Sequence, residues 1–357
     1  MRPTHAEVDL GAIRHNVRTI ARLVEPAEMC AVVKADAYGH GDVPVAEAAL
    51  EAGAGRLAVA LVEEGVRLRE AGVDAPILVL SEPRPADAAE MIHWRLTPTA
   101  YRAGFLQALR AAAHAPLEVH LKVDTGMHRV GAQPHRLPEL VEEVGGPLRL
   151  GGVWTHLAVA DEDPEFTHHQ IELFQKTVTG LDVSRHLANT AGAILFPEAR
   201  RDLVRVGLGT YGLHPCAETR SVVRLLPAMR VLSEIVYTQR LPLGSRPSYG
   251  RRRALAADAT VATVPIGYAD GMPRRLSSTG GEVLIRGRRY PLAGTVTMDQ
   301  IMVDVGDDHV EVGDEVVLVG HQGEEEVSAD EWAQQLGTIS YEVVCDIGPR
   351  VPRRYVG

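Results

Sequence analysis

The sequence predicts an α/β protein of two domains, a (β/α)8 barrel over residues 1–225 and a mainly antiparallel β domain over residues 226–357. Two observations predict this arrangement. Short β-branched runs alternate with alanine-rich helical stretches in the first two-thirds of the chain, a pattern typical of a parallel sheet. Beyond residue 225, short strand patterns are separated by turns rich in glycine and aspartate.

The barrel is predicted from about eight strand and helix units. The predicted strands cover residues 29–33, 57–62, 77–80, 117–123, 148–156, 186–189 and 203–207, with a weaker one near 96–98. The predicted helices include residues 44–52, 63–71, 101–113 and 164–179, the last with Asp163 as its N-cap. A doubly wound open sheet is the alternative. That fold needs a glycine-rich turn after its first strand, and residues 34–37 do not provide one.

The β domain is predicted from strand patterns at residues 282–285, 300–305 and 315–319. A helix over residues 328–336 is expected as well, because Ser328 and Glu331 have the spacing of a capping box. The extreme N-terminus is a candidate to pack with this domain.

Composition excludes several classes of protein. The chain has 37 basic and 47 acidic residues, and its net charge of −10 argues against a nucleic-acid partner. Its three cysteines, Cys30, Cys216 and Cys345, are too far apart for a disulfide framework or a zinc site, so we expect no metal. We expect no signal peptide, because no apolar h-region precedes a cleavage site, and no run reaches about 18 apolar residues. We therefore expect a cytoplasmic protein with no membrane partner.

Polar residues at predicted strand ends are the first candidates for a site, since barrel enzymes place their chemistry at the C-terminal ends of the strands. Those residues are Lys34, Arg129, His156, Asn189 with Thr190, and Arg205. Lys34 ends an apolar run, where partial desolvation would make its amine a nucleophile. Taken alone, a lysine at such a position is more typical of a solvated or paired charge.

The motif around Lys34 adds to this reading. Residues 33–41 closely resemble the cofactor-lysine signature of the alanine racemase family. Further blocks resemble that family in the same order, at residues 121–131, 155–158, 188–191, 205–212, 248–250, 267–271, 298–300, 338–342 and 350–353. Three positions depart from the family pattern, with Asp36 in place of Asn, Thr190 in place of Ser and Thr297 in place of a common Cys.

The resemblance implies a pyridoxal-phosphate (PLP) enzyme of fold-type III. Its expected reaction is the interconversion of L- and D-alanine by a two-base mechanism on the external aldimine, which supplies D-alanine for peptidoglycan. Lys34 would carry the cofactor and act as one base, with Tyr249 as the other. The family also implies a homodimer in which two chains share each active site.

Further roles follow from the matched positions. The cofactor-binding residues would be Lys34, Tyr38, His156, Asn189, Thr190, Arg205, Gly207, Leu208 and Tyr341. Arg205 would face the pyridine nitrogen, and the resemblance implies a chain from Tyr249 through His156 to Arg205. The substrate carboxylate would bind Arg129 and the Met298 backbone. Lys122, which is carbamylated in some family members, Tyr268 and Asp299 would support the site.

Three alternatives to an alanine racemase are open at this stage. One is a racemase of broader specificity, acting on serine or lysine. Another is a decarboxylase with the same fold, although such enzymes place a carboxylate at the ring nitrogen where Arg205 is expected here. The third is a PLP carrier without catalytic activity, which would usually lack the β domain and Tyr249.

Overall fold

A computed structural model of the chain describes residues 2–357. The chain divides into two compact units by its internal contacts. Residues 10–37 and 41–227 form the first, which we call the barrel unit. The sheet unit contains residues 2–9, 38–40 and 228–357. The sequence placed a domain boundary after residue 225, and the observed change of unit follows Pro227.

The barrel unit is built on a parallel sheet of eight strands. Strand β1 (His5–Asp9) precedes this sheet and belongs to the sheet unit. The eight strands are β2 (Glu28–Val32), β3 (Arg56–Val59), β4 (Ile77–Val79), β5 (Thr97–Ala100), β6 (Leu117–Lys122), β7 (Leu148–Trp154), β8 (Ser184–His186) and β9 (Leu203–Val206).

The order of these strands follows the chain from β2 to β8, and β9 pairs with β2. Two backbone hydrogen bonds join the remaining edges: Arg205 N donates to Ala188 O at 3.0 Å and Asp202 N donates to Arg185 O at 3.1 Å. These bonds close the sheet into a barrel. The predicted (β/α)8 class is therefore confirmed, and the open doubly wound sheet is excluded.

Helices follow the strands of the barrel unit as the alternation predicted. They are Leu10–Val24, Asp42–Glu51, Val62–Glu70, Ala88–His93, Ala103–Ala112, Leu137–Glu143, Pro164–Thr177, Thr190–Leu195 and Ala217–Val222, with short 3-10 turns at Pro85–Asp87, Pro134–Arg136, Pro197–Ala199 and Leu208–Tyr211. The Asp163 side chain accepts a hydrogen bond from Phe166 N at 3.0 Å, so Asp163 caps its helix as expected.

The sheet unit contains a seven-stranded and a three-stranded sheet. Its other strands are β10 (Met229–Glu234), β11 (Tyr237–Leu241), β12 (Ala259–Val264), β13 (Glu282–Ile285), β14 (Arg288–Pro291), β15 (Ile301–Gly306), β16 (Glu315–Gln322), β17 (Glu325–Val327) and β18 (Arg353–Val356). The larger sheet has the order β14-β13-β16-β10-β1-β18, with β17 on β16, and the smaller has the order β11-β12-β15. Only β1 and β18 pair in parallel, so the sheet unit is mainly antiparallel as predicted.

Short helices complete the sheet unit: Leu276–Thr279, Ala329–Leu336 and Ser340–Cys345, with 3-10 turns at Tyr249–Arg251 and Tyr268–Asp270. Ser328 caps the helix Ala329–Leu336 by accepting a hydrogen bond from Glu331 N at 3.0 Å, as its spacing predicted. Among residues 2–357, no helix is both long and apolar enough to cross a membrane.

Candidate active site

The C-terminal ends of the barrel strands, which we call the barrel mouth, carry most of the residues that the sequence singled out. Lys34 lies two residues beyond β2, and Lys122 is the last residue of β6. His156 lies two residues beyond β7, and Asn189 three residues beyond β8. Arg205 is the third residue of β9. Strands β7 and β8 end two and three residues earlier than expected, which places His156 and Asn189 in loops of the mouth.

The segment after Lys34 has an unusual backbone. Residues 35–38 all have φ between 51° and 53°, so the chain makes a left-handed helical turn. Such a conformation costs roughly 1–2 kcal/mol per L-residue. None of these residues is glycine, and the turn therefore has to be held by its surroundings.

Glu64 supplies the first of these contacts. Its carboxylate accepts hydrogen bonds from Ala35 N at 2.7 Å, Ala60 N at 2.8 Å and Leu61 N at 3.1 Å. The loop that follows Lys34 is thus tied to the start of the helix Val62–Glu70. No motif in the sequence marked Glu64 as a site residue. The available signal was its position three residues into a helix, where a glutamate often turns back to the backbone.

Asp36 provides a second contact, and it gives a role to a position that the sequence left without one. Its Oδ1 accepts a hydrogen bond from Asp42 N at 3.0 Å, and its carbonyl accepts one from Gly41 N at 2.9 Å. Asparagine and aspartate both tolerate the left-handed conformation. The exchange of Asn for Asp at this position therefore preserves both the turn and an oxygen acceptor.

Arg205 is a buried cation whose partners are all neutral. It donates to Thr155 O at 2.8 Å, Leu187 O at 3.1 Å, His186 Nδ1 at 2.9 Å and His156 Nδ1 at 3.3 Å. Burial lowers the pKa of the guanidinium to about 10. At neutral pH the group therefore remains a charged donor whose orientation these acceptors fix.

Lys122 lies near the same cation. Its Nζ lies 4.3 Å from the centre of the Trp154 ring, and the Arg205 guanidinium lies 4.5 Å from that ring. Burial first, and then the charges of Arg205 and Arg129, lower the pKa of Lys122 to about 7. The barrel mouth thus concentrates positive charge, which favours anionic ligands.

Arg129 is an exposed residue on the loop that follows β6. The Asp124 carboxylate organises this loop by accepting hydrogen bonds from Gly126 N and His128 N, both at 3.0 Å. In such a turn the aspartate bonds to the loop backbone and not to the arginine side chain. Arg129 is thereby presented by a structured loop and not by the strand itself.

His156 is held in its neutral form. Burial, followed by the charge of Arg205, places its pKa well below the usual value. Because the arginine can only donate, Nδ1 accepts and the proton of the neutral ring lies on Nε2. Gln170 braces this loop by donating to His156 O at 3.2 Å and accepting from Ala158 N at 2.8 Å.

Two neighbouring polar residues follow β8 and differ in what they contact. The Thr190 hydroxyl oxygen accepts hydrogen bonds from Gly207 N at 3.2 Å and from Gly209 N at 3.4 Å, the two residues on either side of Leu208. Asn189 caps the helix Thr190–Leu195 through a 2.9 Å bond from Gly192 N, and its Nδ2 donates to Leu157 O at 3.3 Å. Both polar groups of Asn189 therefore bond to the protein backbone.

The sheet unit contains the remaining predicted site residues. The rings of Tyr38 and Tyr341 lie 6.1 Å apart, so the two hydroxyl-bearing side chains are neighbours. Burial raises the pKa of Tyr38. Its hydroxyl therefore remains protonated and can donate a hydrogen bond to an anion.

Tyr249 lies on a tight turn with its side chain 73% exposed. Ser248 has a φ of 68°, and its hydroxyl donates to Thr295 O at 2.6 Å. Thr295 in turn donates to Tyr249 O at 2.8 Å. These bonds fix the backbone of Tyr249, whereas its phenol ring points into solvent.

Tyr268 and Met298 lie on adjoining loops, because Tyr268 N donates to Thr297 O at 2.9 Å and Ala269 N donates to Met298 O at 3.1 Å. Both side chains are exposed, at 44% and 51%. Asp299 accepts a 2.7 Å hydrogen bond from Arg350, which anchors the Met298 loop.

A parallel barrel with Lys34 and two buried basic side chains, Lys122 and Arg205, at its mouth, and an antiparallel unit with exposed tyrosines, is the arrangement of a two-domain PLP enzyme of the barrel class. Comparison with protein families is specific. Residues 8–215 match the alanine racemase N-terminal domain, and residues 228–355 match the alanine racemase C-terminal domain. The chain belongs to the alanine racemase family.

Individual relatives are similar to this chain over its whole length. The chain is 47% identical to an alanine racemase of Symbiobacterium thermophilum, covering 100% of this chain and 98% of that protein. It is 43% identical to one of Carboxydothermus hydrogenoformans, with 100% of each chain covered. Among solved structures, the alanine racemase of Bacillus anthracis with bound L-Ala-P has a TM-score of 0.93 and 37% identity, covering 100% of this chain and 96% of that one.

Proposed function

We propose that this protein is a PLP-dependent racemase that interconverts L- and D-alanine. The observation that carries this proposal is Arg205, a buried cation with neutral partners at the same barrel mouth as Lys34. Arg205 supports a racemase in particular because of the effect it would have on the cofactor. The use of D-alanine for peptidoglycan follows from family membership.

The barrel mouth fits PLP and an amino-acid carboxylate by charge. Lys34, Lys122, Arg129 and Arg205 concentrate positive charge there, as the lowered pKa of Lys122 reflects. Thr190 and the backbone N–H of Leu208 would bind the phosphate, with Tyr38 and Tyr341 as further donors. The N–H of Gly207, which donates to Thr190, would position that hydroxyl. When bound, PLP supplies an electron sink that acidifies the α-hydrogen of the amino acid.

Arg205 decides between reaction classes. If Arg205 faced the pyridine nitrogen of bound PLP, its guanidinium could not accept a proton from that nitrogen, and PLP would supply only a weak electron sink. A weak sink favours rapid return of the α-proton over decarboxylation or transamination. Decarboxylases of this fold place a carboxylate at that position, so an arginine there argues against a decarboxylase.

Two groups would hold the α-proton, one on each face of the substrate. Lys34 would serve one face with its amine after the substrate replaces it. Tyr249 would serve the other, with the Nε2–H of His156 as a hydrogen-bond donor for its phenolic oxygen. Arg205 would keep the His156 ring in the required tautomer.

Substrate size would be limited by aromatic side chains. Arg129 and the Met298 backbone would bind the carboxylate. Tyr268 and Tyr341 would narrow the entrance, which favours alanine over lysine. The function is tested by the absorbance spectrum of purified protein and by chiral analysis after adding L-alanine. Formation of D-alanine is expected, whereas efficient racemisation of lysine would favour the broader-specificity alternative.

Lys122 is a candidate for carbamylation. A neutral amine attacks CO2, forming an N–C bond and releasing one proton, so the lysine nitrogen becomes an anionic carbamate. The carbamate would offset the charges of Arg129 and Arg205. With its pKa lowered to about 7, the amine of Lys122 is largely protonated below pH 7 and largely neutral above it.

Carbamate formation is therefore expected to rise as pH increases through about 7. The measurement is a ¹³C NMR titration of the protein in ¹³C-bicarbonate, with Lys122→Ala as the control for other amines. A carbamate signal that persists in Lys122→Ala, or no signal up to pH 9, would show that Lys122 is not the modified group.

The active site is proposed to be shared between two chains of a homodimer. Tyr249, Met298 and Tyr268 are 73%, 51% and 44% exposed on the sheet unit, which suits side chains that complete a partner's site. Exposed apolar surface of this kind is a frequent feature of interaction sites.

Lys34→Ala and Tyr249→Phe chains, each nearly inactive, are expected to regain activity when mixed. One of the two sites in each heterodimer would contain both native residues, so up to about half of the native activity per heterodimer is expected. Racemase activity is measured after subunit exchange has been demonstrated with differently tagged chains. An absence of recovery despite complete exchange would place both residues of a site on one chain.

A further inference from the structure

Arg205 is connected to a hydrogen-bond chain that the proposed mechanism does not use. Its Nη1 bonds to His186 Nδ1 at 2.9 Å, and His186 Nε2 bonds to His120 Nδ1 at 2.9 Å. His120 Nε2 then bonds to Glu118 Oε1 at 3.1 Å. We call His186, His120 and Glu118 the His–His–Glu chain. Both histidines are completely buried.

The direction of every bond in this chain is fixed by Arg205. A guanidinium only donates, so His186 Nδ1 must accept. Burial and the charge of Arg205 hold the pKa of His186 well below its usual value, and the neutral ring therefore carries its proton on Nε2. That proton is donated to His120 Nδ1. The proton of His120 consequently lies on Nε2 and is donated to Glu118.

The chain crosses the barrel interior from the mouth to the opposite end. His186 is the last residue of β8, whereas Glu118 is the second residue of β6 and its side chain is 52% exposed. Arg56 of β3 approaches Glu118 to 3.9 Å, although β4 and β5 separate their strands in the sheet. Two such side chains can meet only across the inside of the barrel.

The backbone of β7 is shaped to make room for this chain. A Cβ atom at Gly152 would lie 2.8 Å from His120 Nδ1, and one at Gly151 would lie 2.2 Å from Glu118 Cγ. The register between β6 and β7 also shifts between Val119 and His120. Two consecutive glycines thus face the two chain residues that lie on β6.

We propose that His186, His120 and Glu118 are positioning residues for Arg205, which hold its guanidinium in place through hydrogen bonds that run to the far end of the barrel. The physical reason is the cost of a buried cation, which needs oriented acceptors. If His120 did not accept from His186, the His186 proton would be free to move to Nδ1 and would face the guanidinium. The proposal rests on the proposed function for the role of Arg205 toward PLP.

The direct test measures tautomers and requires no racemase activity. In holoenzyme labelled with ¹⁵N-histidine, NMR is expected to show His186 and His120 as neutral rings protonated on Nε2. The signals are assigned by comparison with His186→Asn and His120→Asn. A His186 ring protonated on Nδ1, or a doubly protonated one, would overturn the proposal. Loss of the proposed function alone would leave this spectrum unchanged.

A matched pair of variants tests the positioning role. In His120→Asn, the amide oxygen can take the place of Nδ1 and still accept from His186. In His120→Gln, the amide nitrogen can take the place of Nε2, but the acceptor for His186 is lost. Glu118→Gln keeps an oxygen acceptor for His120 and removes only the charge.

His120→Gln is expected to weaken PLP binding and to lower kcat by about tenfold or more, with KM for alanine nearly unchanged. His120→Asn and Glu118→Gln are expected to stay within about threefold of the native values. PLP binding is measured by absorbance titration, and melting temperatures establish that each variant is folded. Equal losses in His120→Asn and His120→Gln would show that the chain only packs the barrel, and the proposal would fail.

Discussion

Replacement of Lys34 by alanine is expected to remove the absorbance band of lysine-bound PLP and to abolish racemisation in both directions. Lys34 is the proposed attachment point of the cofactor and also one of the two bases. Loss of a general base alone costs about 10²–10⁴-fold, and loss of covalent attachment adds to that. The measurements are the absorbance spectrum and the rate of conversion of each enantiomer.

The composition of the chain makes this test sharp. It contains only three lysines, Lys34, Lys122 and Lys176. Borohydride reduction followed by peptide mapping can therefore assign the modified residue without ambiguity. Lys176→Ala is the matched control, because Lys176 lies exposed on the helix Pro164–Thr177 and should not affect the spectrum. Reducible attachment of PLP to Lys122 or Lys176 would refute the assignment.

Much of the fold follows from sequence patterns because barrel strands are short apolar runs bounded by clear helix signals. Asp163 and Ser328 were expected to cap helices, and both do so. The strand ends were less predictable. Apolar residues continue past the end of β3, where Ala60, Leu61 and Val62 follow Val59, and hydrophobicity does not record where hydrogen bonding stops.

The site residues that lie in family motifs were predictable from the sequence. The backbone conformation and tertiary contacts that position them were less predictable. Lys34 and Arg205 were recognised from their motifs. Nothing in the local sequence indicates that residues 35–38 form a left-handed turn, since neither alanine nor tyrosine favours that conformation. The turn is held by Glu64 from another strand–helix unit, and such a contact depends on the tertiary fold.

The His–His–Glu chain illustrates the same limit. His120 and Glu118 lie in a predicted strand and read as ordinary alternating positions, and His186 begins another predicted strand. Their relation appears only when β6, β7 and β8 are adjacent and Gly151 and Gly152 leave space. A consecutive glycine pair inside a strand was the one signal in the sequence, because it often marks close approach by another group.

Asn189 shows that a family match does not separate a residue that contacts the cofactor from one that orients its neighbours. The sequence placed it among the cofactor-binding residues, next to Thr190. In the structure its side chain caps the helix Thr190–Leu195 and bonds to Leu157 O. We therefore infer that Asn189 orients the segment that presents Thr190, a role that local spacing alone could not distinguish from direct contact.

Replacement of Tyr249 by phenylalanine is expected to separate the two faces of the reaction. The ring packing is retained and only the hydroxyl is lost, so PLP should bind normally. Tyr249 is the proposed base for the L-enantiomer and Lys34 for the D-enantiomer. Racemisation should fall by about 10²–10⁴-fold, because it needs both groups. Tyr237→Phe is the matched control, since Tyr237 is also an exposed tyrosine of the sheet unit and has no proposed role in the site.

The decisive measurement is exchange of the α-hydrogen with deuterated solvent, followed separately for each enantiomer by mass spectrometry. Tyr249→Phe should still exchange D-alanine through Lys34, whereas exchange of L-alanine should slow by a factor close to that for racemisation. A single base would have to pass the planar cofactor to reach both faces, and two fixed groups avoid that movement. Two bases therefore predict asymmetric exchange, and one mobile base predicts equal losses. Equal loss of exchange for both enantiomers, with PLP bound normally, would rule out Tyr249 as a face-specific base.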